Sequence, residues 1–312
     1  MMIRTPCRTA VRAALSLALL AFALAGPAAA QAVHSAHGTG AGAEPAQVAL
    51  AKPAAVAAAM APVAKPADIF HRAPCRSPKR IGNSLGRLPH VALKLAERRP
   101  LTIIAFGSSS TEGYGSTAPE FTYPNRLAAQ LKRAYPHAVI NVLNRGRGGE
   151  DAPEMLKRLK NAVIDEKPDL VIWQVGTNAI LRNLDPAATL AILREGIGKI
   201  QAAGADVVLV DPQYVPAVNQ KGERASRMVQ MLDSFAGQHR IGIFKRFAVM
   251  REWHEDQALA FDRFSIADGL HMNDWGYACF AQLLGDDIIE SVGQAPQNKA
   301  SMPNDATSYP PL

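Results

Sequence analysis

Five apolar runs of strand length, separated by longer stretches with apolar residues three and four apart, constrain this chain more than any other feature. The runs are LTIIAF (101–106), AVINVLN (138–144), LVIWQVG (170–176), ADVVLVDP (205–212) and IGIFKRF (241–247). Each is nearly continuous in aliphatic and aromatic residues instead of alternating with polar ones, as parallel strands covered on both faces are. The intervening NRLAAQLKRAY, APEMLKRLKNAVID, AATLAILREGIGKIQAAG and ERASRMVQMLDSFAGQ carry helical periodicity, and a last helix is expected from Asp274 to about Val292. Strand and helix in repetition predict an α/β fold: a five-stranded parallel sheet with right-handed crossovers and helices on both faces. In such a sheet ligands bind beyond the carboxyl ends of the strands, so the residues that follow each strand are the ones to read for function.

The ends of the chain differ from this middle. Residues 1–30 open with Arg4, Arg8 and Arg12, continue through an apolar core and finish in PAAAQA, the pattern of a secretory signal peptide cut after Ala30 or Ala32. A membrane anchor is the other reading, but ALSLALLAFALA falls short of the roughly 20 residues a span needs. Residues 31–67 are rich in Ala and Pro and read as a flexible linker, and 294–312 as a disordered tail. A single domain is left, from 68 to 293. An exported chain is expected in the periplasm or outside the cell. The formal charge is +7, three of it in the signal segment, and no basic stripe is interleaved with aromatics, which argues against nucleic acid as a partner. Cys7 leaves with the signal; the even pair that remains, Cys75 and Cys279, is expected in an exported chain to form a disulfide tying the segment before the first strand to the last helix, with two separate buried thiols as the alternative.

At the strand ends stand GSSSTEG after the first, NRGRGGED after the second and GTNA after the third, while DGLH at 268–271 follows the fifth strand and its helix. Small residues, an amide, a carboxylate and an imidazole thus reach one rim, the set that acyl transfer requires. A serine hydroxyl becomes a nucleophile only when a base takes its proton, and His271 is placed to do so. Asp268, three residues earlier, is close enough to hold the other ring nitrogen and stabilise the imidazolium. The oxyanion of a tetrahedral intermediate needs donors aimed at it, and Gly149 and Asn178 are candidates.

The blocks FGSSSTEG, NRGRGGE, VGTNA and DGLHMNDWGY resemble, in order, the four signature blocks of the SGNH or GDSL-type hydrolases, over essentially the whole segment from Leu101 to about Ile289. The resemblance implies a flavodoxin-like three-layer sandwich and a serine esterase that needs no cofactor or metal. It maps the nucleophile to Ser109, the base and acid to His271 and Asp268, and an oxyanion hole to the Ser109 N–H, Gly149 and Asn178. Two positions depart from the family pattern: Ser108 stands where an acid is usual, and Ala179 where an acid often follows the asparagine. A nucleophile shifted to Ser108 or Ser110 is the competing assignment, but with Ser109 in place Thr111 and Gly113 fall where the family has Thr and Gly.

Other motifs fail on spacing. From Gly146 the dinucleotide pattern G-x-G-x-x-G ends on Asp151, no GK[ST] follows Gly107, and WHED at 253–256 lacks the H-E-x-x-H ligand spacing. Arg145 and Arg147 either attract an acidic substrate or solvate a loop. Tyr114, Tyr123, Trp173 and Trp275 lie in or near the segments of the rim, where rings can stack on sugars, though core packing is the commoner use. The expectation is therefore an exported esterase acting on carboxylic esters, acetyl or glycan-linked ones among them. Its rivals are an envelope glycan O-acyltransferase and a non-catalytic polysaccharide-binding module on the same fold.

Overall fold

A computed structural model of the chain describes residues 72–73, 75–79 and 81–293. The expectations for the signal peptide, the linker and the tail lie outside the described residues. Five strands, β1 (Leu101–Gly107), β2 (Ile140–Gly146), β3 (Leu170–Gln174), β4 (Asp206–Val210) and β5 (Gly242–Phe244), form one sheet in the order β2-β1-β3-β4-β5. Every pairing is parallel. The order reverses between β1 and β3, the switch point at which an open α/β sheet leaves a crevice. The apolar runs account for the burial: all of β3 and β4, and six of the seven residues of β1, are buried, whereas edge strand β2 is mostly half-exposed.

Helices α1 (Pro89–Ala96), α3 (Tyr123–Ala134) and α10 (Asp274–Gly293) pack on one face, and α4 (Ala152–Ala162), α6 (Pro186–Ala202) and α8 (Glu223–His239) on the other. Three short or late helices, α2 (Ser109–Glu112), α5 (Thr177–Leu181) and α7 (Pro216–Asn219), follow strand ends, and α9 (Arg246–Glu255) follows β5. The result is the three-layer α/β/α arrangement in flavodoxin-like strand order. Among the described residues no helix is long and apolar enough to cross a membrane.

The fifth strand is a correction. IGIFKRF was expected to be extended through Phe247, but the strand stops at Phe244 and α9 begins at Arg246. Asp211, just beyond β4, accepts the Phe247 N–H at 2.9 Å, so the first turn of α9 is held by a carboxylate 36 residues away. Helix α1 was not anticipated either. Its Leu88 cap offers no side-chain bond, and the His90 and Val91 N–H groups donate instead to Asp206 of β4, at 3.0 and 3.1 Å.

Cys75 and Cys279 form a disulfide, with Cα atoms 5.6 Å apart, that ties the segment ahead of α1 to α10. The same segment meets the edge of the sheet: Ser84 and Ile243 exchange bonds, Ile243 N–H to Ser84 O at 3.2 Å and Ser84 Oγ to Ile243 O at 2.6 Å. An edge strand with unpaired backbone groups invites pairing with another chain, and here the protein's own leading segment covers it.

Candidate active site

The glycine at the end of β1 is dictated by space. A Cβ on Gly107 would lie 2.3 Å from Thr111 Oγ1 and 2.7 Å from Gln174 Oε1, so only glycine lets the chain turn directly into α2. Gly146 at the end of β2 is constrained in the same way, since its Cβ would fall 2.0 Å from the Glu112 nitrogen. Thus β2 ends against the backbone of α2, and β1 against the side chains of Thr111 and Gln174.

This turn separates the three serines. Ser108 points inward: its N–H and Oγ donate to Gln174 Oε1 at 2.9 and 3.0 Å, and Thr111 Oγ1 donates to the same oxygen at 3.3 Å. Ser110 is buried in α2. Ser109 reaches the rim, with Oγ 2.8 Å from His271 Nε2. Gln174 was not singled out from sequence, although one polar residue inside the run LVIWQVG is a signal of a buried hydrogen-bonding task.

His271 is held from several sides. Its Nδ1 lies 2.6 Å from Asp268 Oδ2, while Asp268 Oδ1 accepts the N–H groups of Leu270 and His271 at 2.8 and 2.9 Å. A carboxylate beside Nδ1 fixes the tautomer: the proton sits on Nδ1, and Nε2 is free to accept from the Ser109 hydroxyl. Burial pushes the Asp268 carboxyl upward, but the bonds from the His271 ring, the His271 N–H and the Leu270 N–H outweigh it and leave it below its ordinary value. The Tyr114 ring lies against the imidazole, centroids 4.4 Å apart.

The rest of the DGLHMNDWGY block supports this loop. Asn273 Oδ1 accepts the Gly276 N–H at 3.0 Å and caps the start of α10. A Cβ on Gly276 would lie 2.2 Å from the Phe264 carbonyl oxygen. The buried Tyr277 hydroxyl donates to the Tyr114 carbonyl at 2.7 Å, which anchors the turn beside His271.

Gly149 and Asn178 come to the same rim. Asn178 Nδ2 donates to the Glu150 carbonyl at 2.7 Å, which binds α5 to the loop after β2 and leaves one amide N–H. Gly149 has φ +76, a left-handed conformation that favours glycine, and its carbonyl accepts from Arg182. Among the described residues, neither the Ser109 N–H nor the Gly149 N–H donates to another group. Glu150 is braced by Arg158 at 2.6 Å, and Arg158 also donates to the Gly107 carbonyl at 3.2 Å.

Arg145 is paired with Glu166 at 2.6 Å, and the exposed Arg147 stands 3.8 Å from Glu150. Tyr123 and Trp173 do not reach the rim: both are fully buried in the core. Trp275 is half-buried beside Trp253, with the Arg263 guanidinium 5.1 Å above its ring. In WHED, Trp253 is core and His254 Nδ1 bonds the Leu259 carbonyl at 2.9 Å. Among the described residues no group of three or more His, Cys, Asp or Glu side chains is arranged to hold a metal ion.

A family model described as the non-GDSL lipase-like family matches residues 74–294. An arylesterase of Vibrio mimicus is 23% identical over 203 residues, which cover 64% of this chain and 93% of the relative. Among solved structures, a two-domain esterase active on acetylated mannans, crystallised with mannopentaose, has a TM-score of 0.59 at 19% identity; the match covers 68% of this chain and 56% of that one. This chain therefore spans little more than half the length of that esterase. A lipase/acylhydrolase from Enterococcus faecalis has a TM-score of 0.51 at 26% identity, covering 61% and 96%. A catalytic mutant of an acetylxylan esterase from Geobacillus stearothermophilus has a TM-score of 0.52 at 18% identity, covering 62% and 94%.

Proposed function

The chain belongs to the non-GDSL lipase-like family, in keeping with the SGNH or GDSL-type character of its four blocks, and from that premise we propose that it is an exported serine esterase working through an acyl-enzyme on Ser109. The observation that carries this reading is the unbroken relay from Asp268 through His271 to the Ser109 hydroxyl, at 2.6 and 2.8 Å. Ser109 Oγ attacks the ester carbonyl as its proton passes to His271 Nε2, and Asp268 stabilises the imidazolium. The oxyanion is met by the Ser109 and Gly149 N–H groups and the remaining Asn178 amide proton. Collapse passes the proton from His271 to the departing alcohol. Water, deprotonated by the same nitrogen, then cleaves the acyl-enzyme and releases the acid and free Ser109.

For the substrate, acetylated glycans are the class we favour. A groove of about 530 Å³, lined in part by Gly115, Thr117, Arg263, Ile266 and Trp275, borders the loop of His271 and offers hydrogen-bonding groups and an indole to a sugar alcohol. The mannan and xylan esterases that share the fold support the same class. Export rests on the leader sequence and accords with the disulfide, which persists in an oxidising compartment.

The test compares the mature protein with Ser109→Ala on p-nitrophenyl acetate and acetylated oligosaccharides, with fluorophosphonate labelling alongside. The expected result is labelling of the wild type alone and a loss of kcat on the order of a thousandfold or more in the variant. An unlabelled wild type, or equal labelling of both proteins, would defeat the covalent mechanism. Transfer of acetyl to a glycan in preference to water would turn the assignment to an acyltransferase.

A further inference from the structure

Beneath the rim lies a buried polar cluster that no motif accounts for. Gln213, three residues past β4 and 1% exposed, has both polar atoms of its amide engaged, with partners from three remote segments. Its Oε1 accepts from Thr177 Oγ1 at 3.0 Å and from Arg246 Nη2 at 2.8 Å, and its Nε2 donates to the Leu270 carbonyl at 3.2 Å. Arg246, fully buried at the start of α9, also donates through Nε to the Asp211 carbonyl at 3.0 Å. These partners fix the orientation of the amide. Turning it over would set its NH2 against the guanidinium and its oxygen against the Leu270 oxygen.

Two of those contacts sit one residue from the proposed machinery. Thr177 precedes Asn178, the oxyanion amide, and the Leu270 carbonyl belongs to the peptide unit whose N–H is that of His271. That peptide is gripped at both ends, its oxygen by Gln213 and its N–H by Asp268 Oδ1. Resting on the esterase reading above, we infer that Gln213 is a positioning residue that holds the general base and the oxyanion amide on one shared support, anchored by Arg246. Thr177 follows β3, Arg246 follows β5 and Leu270 lies in the loop ahead of α10, so a single amide sets the distance between groups that no local turn could relate. The charged donor on Oε1 strengthens the bond that Nε2 makes on the opposite side. Accuracy of this kind matters because a displacement of about 1 Å can cost on the order of a hundredfold in rate.

The full mature chain carries the test. Gln213→Met removes all three bonds at similar length. Gln213→Glu keeps an acceptor for Arg246 and Thr177 but turns an oxygen toward the Leu270 carbonyl. Both are expected to melt cooperatively, with kcat down about tenfold to a hundredfold and KM within about twofold of wild type. The downfield proton resonance of His271 Nδ1–H, observable whether or not an ester is turned over, is expected to shift or broaden. Thr177→Val is expected to lower kcat and Thr177→Ser to retain it, which tests the same support through a single bond if the Gln213 variants fail to fold. Wild-type kcat and an unmoved Nδ1–H resonance in folded Gln213→Met, or equal kcat in the two Thr177 variants, would overturn the inference. If instead wild type takes no fluorophosphonate and cleaves no ester, the esterase reading fails, and the resonance alone decides whether Gln213 positions His271.

Discussion

At Ser108 the chain departs from the family it resembles, and the surroundings of that side chain account for the change. Gln174 Oε1 receives the Ser108 N–H, the Ser108 hydroxyl and the Thr111 hydroxyl, three donors on one oxygen. An ionised aspartate at 108 would set a carboxylate against that oxygen in a buried site. Rotating the Gln174 amide to donate to it would strip the Ser108 N–H and Thr111 of their acceptor. Ser108→Asp is therefore expected to lower stability by about 1–3 kcal/mol, the cost of a buried polar group left unsatisfied. Urea denaturation measures this, and an unchanged midpoint would mean that the turn accommodates the acid. That Ser109 rather than Ser108 or Ser110 faces His271 could not be read from composition or periodicity. It follows from the half-turn that Gly107 permits, and from sequence only the register of the block supported it.

Among the elements, the strands and the long helices were legible because their signal is local: continuous apolar runs for β1, β3 and β4, and helical periodicity for α3, α4, α6, α8 and α10. Helices α1 and α9 were missed or misplaced because their first turns are held by Asp206 and Asp211, side chains remote in sequence. At Asp211, burial pushes the carboxyl up to about 7, against the bonds from the Phe247 and Arg246 N–H groups and the nearby Arg246 charge. The folded chain then keeps a proton that the unfolded chain releases near pH 4, so this group lowers stability as pH rises from about 4 to about 7. Asp211→Asn keeps an acceptor for Phe247 and removes the titration. The variant is expected to gain on wild type as pH is raised across that window, measured as the difference in denaturant midpoints. A constant difference would assign Asp211 an ordinary carboxylate value.

For the whole molecule, the decisive contacts close the chain on itself. The segment ahead of α1 is bound to α10 by the Cys75–Cys279 disulfide, by Arg72 on Asp286 at 2.6 and 2.9 Å, and by Asn83 Nδ2 on the Asp287 carbonyl at 2.8 Å. It also covers β5, whose Gly242 passes so close that a Cβ would lie 2.5 Å from the Leu85 carbonyl oxygen. The disulfide closes a loop of 204 residues, and restricting the unfolded chain to that degree stabilises the fold. Replacing both cysteines by alanine is expected to cost about 2–4 kcal/mol by denaturant titration. Faster amide exchange should be concentrated at Ile243 and its neighbours; uniform exchange would separate the bridge from protection of the sheet edge.

By itself the sequence determined the layered α/β architecture and the rim on which chemistry would gather, since both follow from short-range patterns: apolar runs, helical periods and the small or reactive residues just after each strand. Only the tertiary structure decided which serine meets the imidazole, how Gln174 and Gln213 are employed, and where α1 and α9 begin. Each of those depends on hydrogen bonds between groups tens of residues or more apart. A donor and an acceptor so distant leave no periodicity and no spacing in the chain, and they find each other only after the sheet has brought the strand ends together.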